Sequence, residues 1–375
     1  MTQETNGNGP APIGRHLAEW RLRRGLTTSR LAARCGLPEQ LITDLESGRD
    51  WVDRRRVVNC LAAGLRLDPI ELTGQPYSPY GASHALVHGT AWHVRRHLAR
   101  VVAGGAGVQE PVHAEEVAAL VAAVQSADEG GDLYSAAGDL PRLLDMTAAP
   151  VTDASLRSDG SVAAARLLRR LGYRDVGYSV LHRARPTGGA PTPAEMAEEV
   201  WLLLDMGQPA LAVSRAPGPG AVLPVDVLMP LASAHACLGQ WVHSARLLER
   251  AQTIARAPKE ASAVASARAF AEAERGAFKQ VLAHAAEAGH LPPGERAGLL
   301  LLTASARARL GRFDEAVKDL VTAESVAPLH TRLNPLAREL VHVLSSRAGV
   351  HPEMAARLGM KRSLSSPGTP GENRR

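Results

Sequence analysis

Residues 24–49 read RGLTTSRLAARCGLPEQLITDLESGR, and this stretch decides the fold of the N-terminal part of the chain. Its apolar residues recur at helical spacing on both sides of Gly36, which supplies the left-handed backbone that ends a helix. The small Ala32 allows two short helices to cross closely through the turn. The stretch therefore predicts a helix from Thr28 to Cys35, a tight turn, and a further helix that ends near Ser47.

Helical patterns also flank this stretch on both sides. One runs from Ile13 to about Gly25, and another fits Arg54 to Leu65. The pair Asp68-Pro69 then begins a last turn that ends at Leu72. Together these patterns predict an all-α N-terminal domain over residues 10–75, preceded by a disordered N-terminus at residues 1–9.

The quoted segment, with the fourth helix and the DPIEL ending, resembles the lambda-repressor-like, XRE-type helix-turn-helix family. The resemblance implies a transcription regulator that binds double-stranded DNA. It also implies that base edges are read from the third helix by Glu39, Gln40, Thr43 and Asp44, with Leu41 against a thymine methyl. Gln40 is suited to adenine, and Glu39 to the amino group of cytosine.

Arginines surround this third helix in the sequence. By the same resemblance, Arg15, Thr28, Arg30, Arg34 and Arg49 are expected to bind DNA phosphates, although Thr28 stands where the family often has glutamine. The basic residues in these regions are Arg15, Arg21, Arg23, Arg24, Arg30 and Arg34, then Arg49 and the run Arg54, Arg55 and Arg56. In this motif both regions flank the major groove, where arginine neutralises phosphate by charge and forked hydrogen bonds.

The third helix itself is acidic. Two of the four base-reading residues, Glu39 and Asp44, are carboxylates and none is basic, so phosphates repel this surface. A second interpretation follows, in which the chain is a protein-interaction adaptor whose helix-turn-helix no longer reads DNA. An antitoxin role is a third interpretation that no residue favours.

The rest of the chain is helical, with an internal repeat. The stretch GQPYSPYG predicts a linker at residues 76–83, and a repeat domain follows over residues 84–355. Glycines separate successive helical stretches at intervals of 34, 35, 32, 37 and 35 residues, at Gly138, Gly172, Gly207, Gly239, Gly276 and Gly311. An irregular helical domain is the alternative, because glycines can recur at such a period by chance.

This repeat resembles the tetratricopeptide family of α-solenoids, whose unit is about 34 residues of paired helices. The last unit matches best, with Gly311, Phe313, Ala316, Ala323 and Pro328 at the family's spacings. The resemblance implies an all-α chain in which a concave solenoid face binds a peptide, a small molecule or a protein partner and controls the DNA-binding domain. A homodimer is expected from the two-fold operators that this motif usually binds.

Composition and cysteine usage indicate the source and the cellular compartment of the protein. Only 3% of the 375 residues are aromatic, the net charge is +5, and all but four of the 43 basic residues are arginine, a bias typical of a high-GC bacterial genome. The three cysteines form no C-x-x-C pair, and no long apolar run or leader is present, which favours a cytoplasmic protein. Residues 361–375 are predicted to form a disordered tail.

No catalytic residue, cofactor or metal ligand is predicted. His84 and His88 lie one helical turn apart, as do His93 and His97, but the two pairs point in nearly opposite directions on one continuous helix, so four ligands cannot converge. Motifs of serine hydrolases, zinc peptidases and kinases are absent from the sequence. The chain is therefore expected not to be an enzyme.

Overall fold

The computed structural model describes residues 11–79, 81–103, 113–148, 153–184, 190–218 and 221–347. The expected disordered segments at residues 1–9 and 361–375 lie outside these ranges. The described residues form helices and loops only, which confirms the all-α fold class.

Five helices make up an N-terminal unit, here called the head. They are α1 (Pro12–Arg23), α2 (Thr28–Cys35), α3 (Glu39–Ser47), α4 (Arg55–Leu65) and α5 (Pro69–Thr73). The side chain of Thr27 caps α2 by accepting the Arg30 amide, and Gly36 ends it with a φ of 63°. These are the local signals from which α2 was predicted, and its bounds are as predicted.

The head has its own apolar core. Ile13 and Leu17 of α1, Leu31 of α2, and Ile42 and Leu45 of α3 are all buried against one another. Because Ile42 and Leu45 turn inward, Glu39, Gln40 and Ser47 on the opposite side of α3 are exposed. The core thus determines which face of α3 is available for binding.

The rest of the described chain begins with α6 (Ala82–Val102) and continues as six helix pairs. The pairs are α7 (Ala114–Glu129) with α8 (Leu133–Thr147), α9 (Ala154–Arg170) with α10 (Arg174–Ala184), α11 (Pro193–Asp205) with α12 (Pro209–Ser214), α13 (Val225–Cys237) with α14 (Trp241–Ile254), α15 (Pro258–Arg275) with α16 (Phe278–Glu287), and α17 (Pro293–Arg309) with α18 (Phe313–Val326). Two further helices follow, α19 (Pro328–Leu333) and α20 (Pro335–Arg347).

Five of the six predicted repeat glycines lie in the turns inside these pairs, as expected, from Gly172 to Gly311. The prediction for Gly138 is wrong, because this residue lies within α8. Asp132 caps α8 by accepting the Ser135 amide, so the helix begins before Gly138. The turn of this pair is at Gly131, which has a φ of 79°.

The first helices of the six pairs close into a ring, which differs from the open concave face expected of a solenoid. Each of α7, α9, α11, α13, α15 and α17 packs against the next, and α17 packs back against α7. An ion pair also joins the late helix α15 to the first helix α7, from Lys259 to Glu129 at 3.1 Å. The six helix pairs, α7 to α18, are called the ring below.

The head rests on the ring along the turns of successive pairs. A Cβ added at Gly172 would contact Gln75, one at Gly239 would contact Arg56, and one at Gly276 would contact Arg54. Glycine at these turns therefore serves two purposes, since it ends a helix and leaves room for the head.

Gly207 and Gly311 allow this contact to be tested. Both lie in the turn of their pair with nearly the same φ, 74° and 76°, so alanine at either position is expected to cost about 1–2 kcal/mol in free energy of unfolding. At Gly207 the new Cβ would also lie 2.9 Å from Cγ of Pro69 in the head, whereas at Gly311 it would meet nothing within 4 Å. Chemical denaturation should show Gly207→Ala to be the more destabilising by about 1 kcal/mol or more. Equal losses would contradict a close contact here.

Candidate nucleic-acid interface

The outward face of α3 carries the four residues expected to read bases. Glu39 and Gln40 are exposed, and Thr43 and Asp44 are half-buried. Leu41 is partly buried and packs against the core of the head. The structure thus brings the four predicted side chains together on one surface of the head.

Hydrogen bonds order these side chains. The hydroxyl of Thr28 donates to Glu39 Oε1 at 2.8 Å, and Gln40 Nε2 donates to Asp44 Oδ1 at 2.9 Å. The hydroxyl of Thr43 donates to the backbone oxygen of Glu39 at 3.1 Å. Thr28, which was expected to bind phosphate, therefore orients the carboxylate of Glu39 from the start of α2.

The carboxylate of Asp44 is partly neutralised. Arg49 Nε donates to Asp44 Oδ1 at 2.6 Å, and this hydrogen bond lowers the pKa of Asp44. The pair reduces the repulsion that an isolated carboxylate would exert on DNA phosphates. It also engages Arg49, which was expected to bind phosphate, in an ion pair with Asp44.

The predicted phosphate-binding arginines divide into two groups. Arg15 on α1 and Arg30 and Arg34 on α2 are exposed and extend from the head toward solvent. Arg21, by contrast, forms a forked ion pair with Glu46, with Nε and Nη2 each 2.6 Å from a carboxylate oxygen. Arg21 therefore joins α1 to α3 and is not part of the exposed surface.

The run Arg54, Arg55 and Arg56 also departs from expectation, because it faces the ring. Arg54 pairs with the neighbouring Asp53 at 3.1 Å. The backbone amides of Arg55 and Arg56 each donate to the carboxylate of Glu274, and the Arg55 guanidinium pairs with Asp205. Sequence reasoning assigned this run to phosphates because the charge pattern does not show where the side chains point.

Other residues that hold the head were missed altogether. Glu339 on α20 accepts the Ile13 amide at 2.7 Å, next to the start of α1. Arg309 on α17 lies 3.6 Å from the centroid of the Trp51 ring. Each partner is more than 250 residues away along the chain, and no local pattern signals such a pair.

The histidines of α6 have separate contacts. His97 bonds to Asp145 at 2.8 Å, and His93 packs edge-on against Trp92. Within the described ranges, no three His, Cys, Asp or Glu side chains are placed to hold a metal ion. In the same part of the chain, no helix has both the length and the apolar character needed to cross a membrane.

One comparison with known proteins, the match to a family model, bears directly on the head. No curated protein matches the chain. Among solved structures it is similar to PlcR of Bacillus thuringiensis, determined in complex with the peptide PapR7 and DNA, at 12% sequence identity. That similarity covers 85% of this chain and 96% of that chain, with a TM-score of 0.26. The model of a helix-turn-helix domain family matches residues 12–73, from the first residue of α1 to the last of α5. The head of this protein is therefore a helix-turn-helix domain.

Proposed function

We propose that this protein is a cytoplasmic, DNA-binding transcription regulator. The observation that carries the proposal is the exposed face of α3 on a helix-turn-helix domain, with Arg30 and Arg34 exposed on the adjacent α2. In this motif the second of the two crossing helices enters the major groove, and arginines beside it bind the phosphates. Glu39, Gln40, Thr43 and Asp44 would then read bases.

We further propose that the ring is a sensory domain whose ligand is a peptide, a small molecule or a protein. Its support is that the head rests on the ring through many contacts, so a ligand that changes the ring also changes the position of the head. Two-fold operators are usual for this motif, so we propose that the regulator acts as a homodimer. No catalytic role is proposed.

The test is a binding measurement with the purified full chain and DNA from upstream of its own gene, in a series of salt concentrations. Replacing Arg30 and Arg34 by alanine should weaken binding roughly tenfold or more. It should also flatten the slope of log affinity against log salt by about 2, because two phosphate contacts are lost.

The control variant replaces Arg246 and Arg296, two exposed arginines of the ring, by alanine. It changes the net charge equally and is expected to leave the salt slope as in the wild type. If the wild type binds neither this fragment nor random genomic DNA at low salt, the regulator is excluded.

An adaptor that no longer reads DNA is the second candidate. The observation that favours it is that Arg21, Arg55 and Arg56 are engaged within the protein, while Glu39 stays exposed on α3. The binding measurement distinguishes the two candidates, because the adaptor predicts no salt-dependent affinity for DNA.

A further inference from the structure

The N-terminus of α4 is capped by the ring and not by its own sequence. Arg54, the residue before the helix, provides no side-chain cap. Instead, the amides of Arg55 and Arg56 donate to the two carboxylate oxygens of Glu274, both at 2.8 Å. Glu274 belongs to α15 and is 3% exposed. A carboxylate from the ring thus occupies the positive end of a helix in the head.

The side chains of Arg55 and Arg56 also contact the ring. The Arg55 guanidinium pairs with Asp205 at the end of α11, and it lies 5.9 Å from the centroid of the Phe270 ring. The Arg56 guanidinium lies 5.9 Å from the centroid of the Trp241 ring. Both arginines therefore contact the ring by backbone and by side chain.

The loop before α4 is also bound to the ring, through Arg309. Arg309 donates to Asp50 Oδ1 at 2.5 Å, to Asp53 Oδ2 at 2.6 Å and to the backbone oxygen of Trp51 at 2.6 Å. Residues 50, 51 and 53 of the connection from α3 to α4 are therefore bound to α17, and the start of α4 is bound to α15.

This connection follows the helix proposed to enter the major groove, where phosphates of the DNA backbone pass. Phosphates bind helix N-termini and arginine side chains, which are the groups that Glu274 and Asp205 engage here. A carboxylate and a phosphate are both anions, so each donor can serve only one of them at a time. Ring and DNA backbone thus compete for the same donors.

We propose that the structure is a closed state, in which the ring carboxylates Glu274 and Asp205 hold the phosphate-binding donors of the α3–α4 connection. Tight DNA binding then requires this connection to leave the ring. The inference rests on the proposed function, because it concerns how DNA binding is restrained. In the closed state the exposed face of α3 still reaches bases, but Arg55 and Arg56 add nothing to affinity or to its salt dependence.

The test compares full-length wild type with Glu274→Gln, which weakens the cap of α4, and with Asp205→Asn, which leaves that cap in place. Asp319→Asn is the matched control, since Asp319 is a buried carboxylate of the ring whose hydrogen bonds from Thr303 and Arg307 stay between α17 and α18. Affinity for a 30-base-pair fragment of the protein's upstream DNA is measured in a salt series. Amide hydrogen exchange of peptides spanning residues 50–60 is measured on the same samples.

Release of the connection should raise affinity about tenfold in Glu274→Gln and in Asp205→Asn. The salt slope should steepen by up to about 2, as Arg55 and Arg56 gain phosphates. Exchange over residues 50–60 should be faster in both variants, while Asp319→Asn should stay within about twofold of the wild-type affinity. Asp205→Asn keeps the test valid if the α4 cap proves necessary for folding.

Two results would overturn the closed state, and they differ in what they imply for the function. Suppose that amide exchange of residues 50–60 is faster in the variants, but that wild type and variants bind DNA with equal affinity and salt slope. The closed state is then wrong, and the proposed DNA binding is retained. If exchange is faster and neither wild type nor variants bind DNA, the proposed function fails as well.

Discussion

Replacing Arg309 by alanine is expected to lower the free energy of unfolding by about 3–5 kcal/mol, because it removes one partner of a buried ionic group. Arg309 donates to Asp50 and Asp53, and Asp53 is only 7% exposed. The substitution leaves the Asp53 carboxylate buried with Arg54 as its remaining ion-pair partner. It also removes the guanidinium that stacks on Trp51. Urea denaturation followed by circular dichroism measures the loss.

Two further variants separate this effect from a general loss of charge. Arg312→Ala, three residues along, removes an exposed arginine whose ion pair with Glu315 lies within its own helix pair, so it should lower the free energy of unfolding far less than Arg309→Ala. Asp53→Asn added to Arg309→Ala should recover about 1–2 kcal/mol, since it removes a buried charge that has lost one of its two ion-pair partners. If Arg309→Ala and Arg312→Ala were equally mild, Arg309 would not anchor the head.

Stability should fall as the pH rises from 6.5 to 8, and Glu339 is the reason. Its side chain is fully buried, which raises the pKa of the carboxyl to about 8 against the opposing effect of the Ile13 and Val52 amides. The unfolded chain has lost this proton above its ordinary pKa of 4.5, while the folded chain keeps it. The stabilisation is therefore complete below pH 4.5 and is lost as the pH passes through about 8.

Measuring above pH 6.5 separates the effect of Glu339 from that of two buried histidines. Burial lowers the pKa values of His84 and His330 to about 4, so both are neutral in the fold and affect stability only below their ordinary value of 6.5. Between pH 6.5 and 8 the free energy of unfolding should fall by up to about 1.4 kcal/mol per pH unit. Denaturation of wild type and Glu339→Gln across this range measures the effect. The free energy of unfolding of Glu339→Gln should not change with pH in this range. An equal slope in both proteins would mean that another group causes the pH dependence.

The helices of the head were predictable from the sequence because their signals are local. The Thr27 cap, the left-handed Gly36 and the Asp68-Pro69 start of α5 each depend on a few consecutive residues. Such residues act within one turn of backbone, so their effect does not depend on the rest of the fold. The same holds for Gly207 and Gly311 in the ring.

The candidate interface was only partly predictable. The residues on the outer face of α3 follow from helical periodicity, which buries Ile42 and Leu45 and leaves Gln40 exposed. The hydrogen bond from Thr28 to Glu39 joins residues 11 apart across a turn and was not foreseen. The partner of an arginine depends on which elements pack beside it, so the charge pattern alone could not separate Arg21 from Arg30.

By itself, the sequence determined that this protein is all-α, that a helix-turn-helix head begins it, and that glycine-broken helix pairs follow, because caps, turns and periodicity act over a few residues. Only the tertiary structure decided that the pairs close into a ring and that the ring and α20 bind the head. Those contacts join Ile13 to Glu339 and Arg55 to Glu274, which are 326 and 219 residues apart. Interactions at that separation depend on the accumulated geometry of every intervening helix, which no local pattern contains.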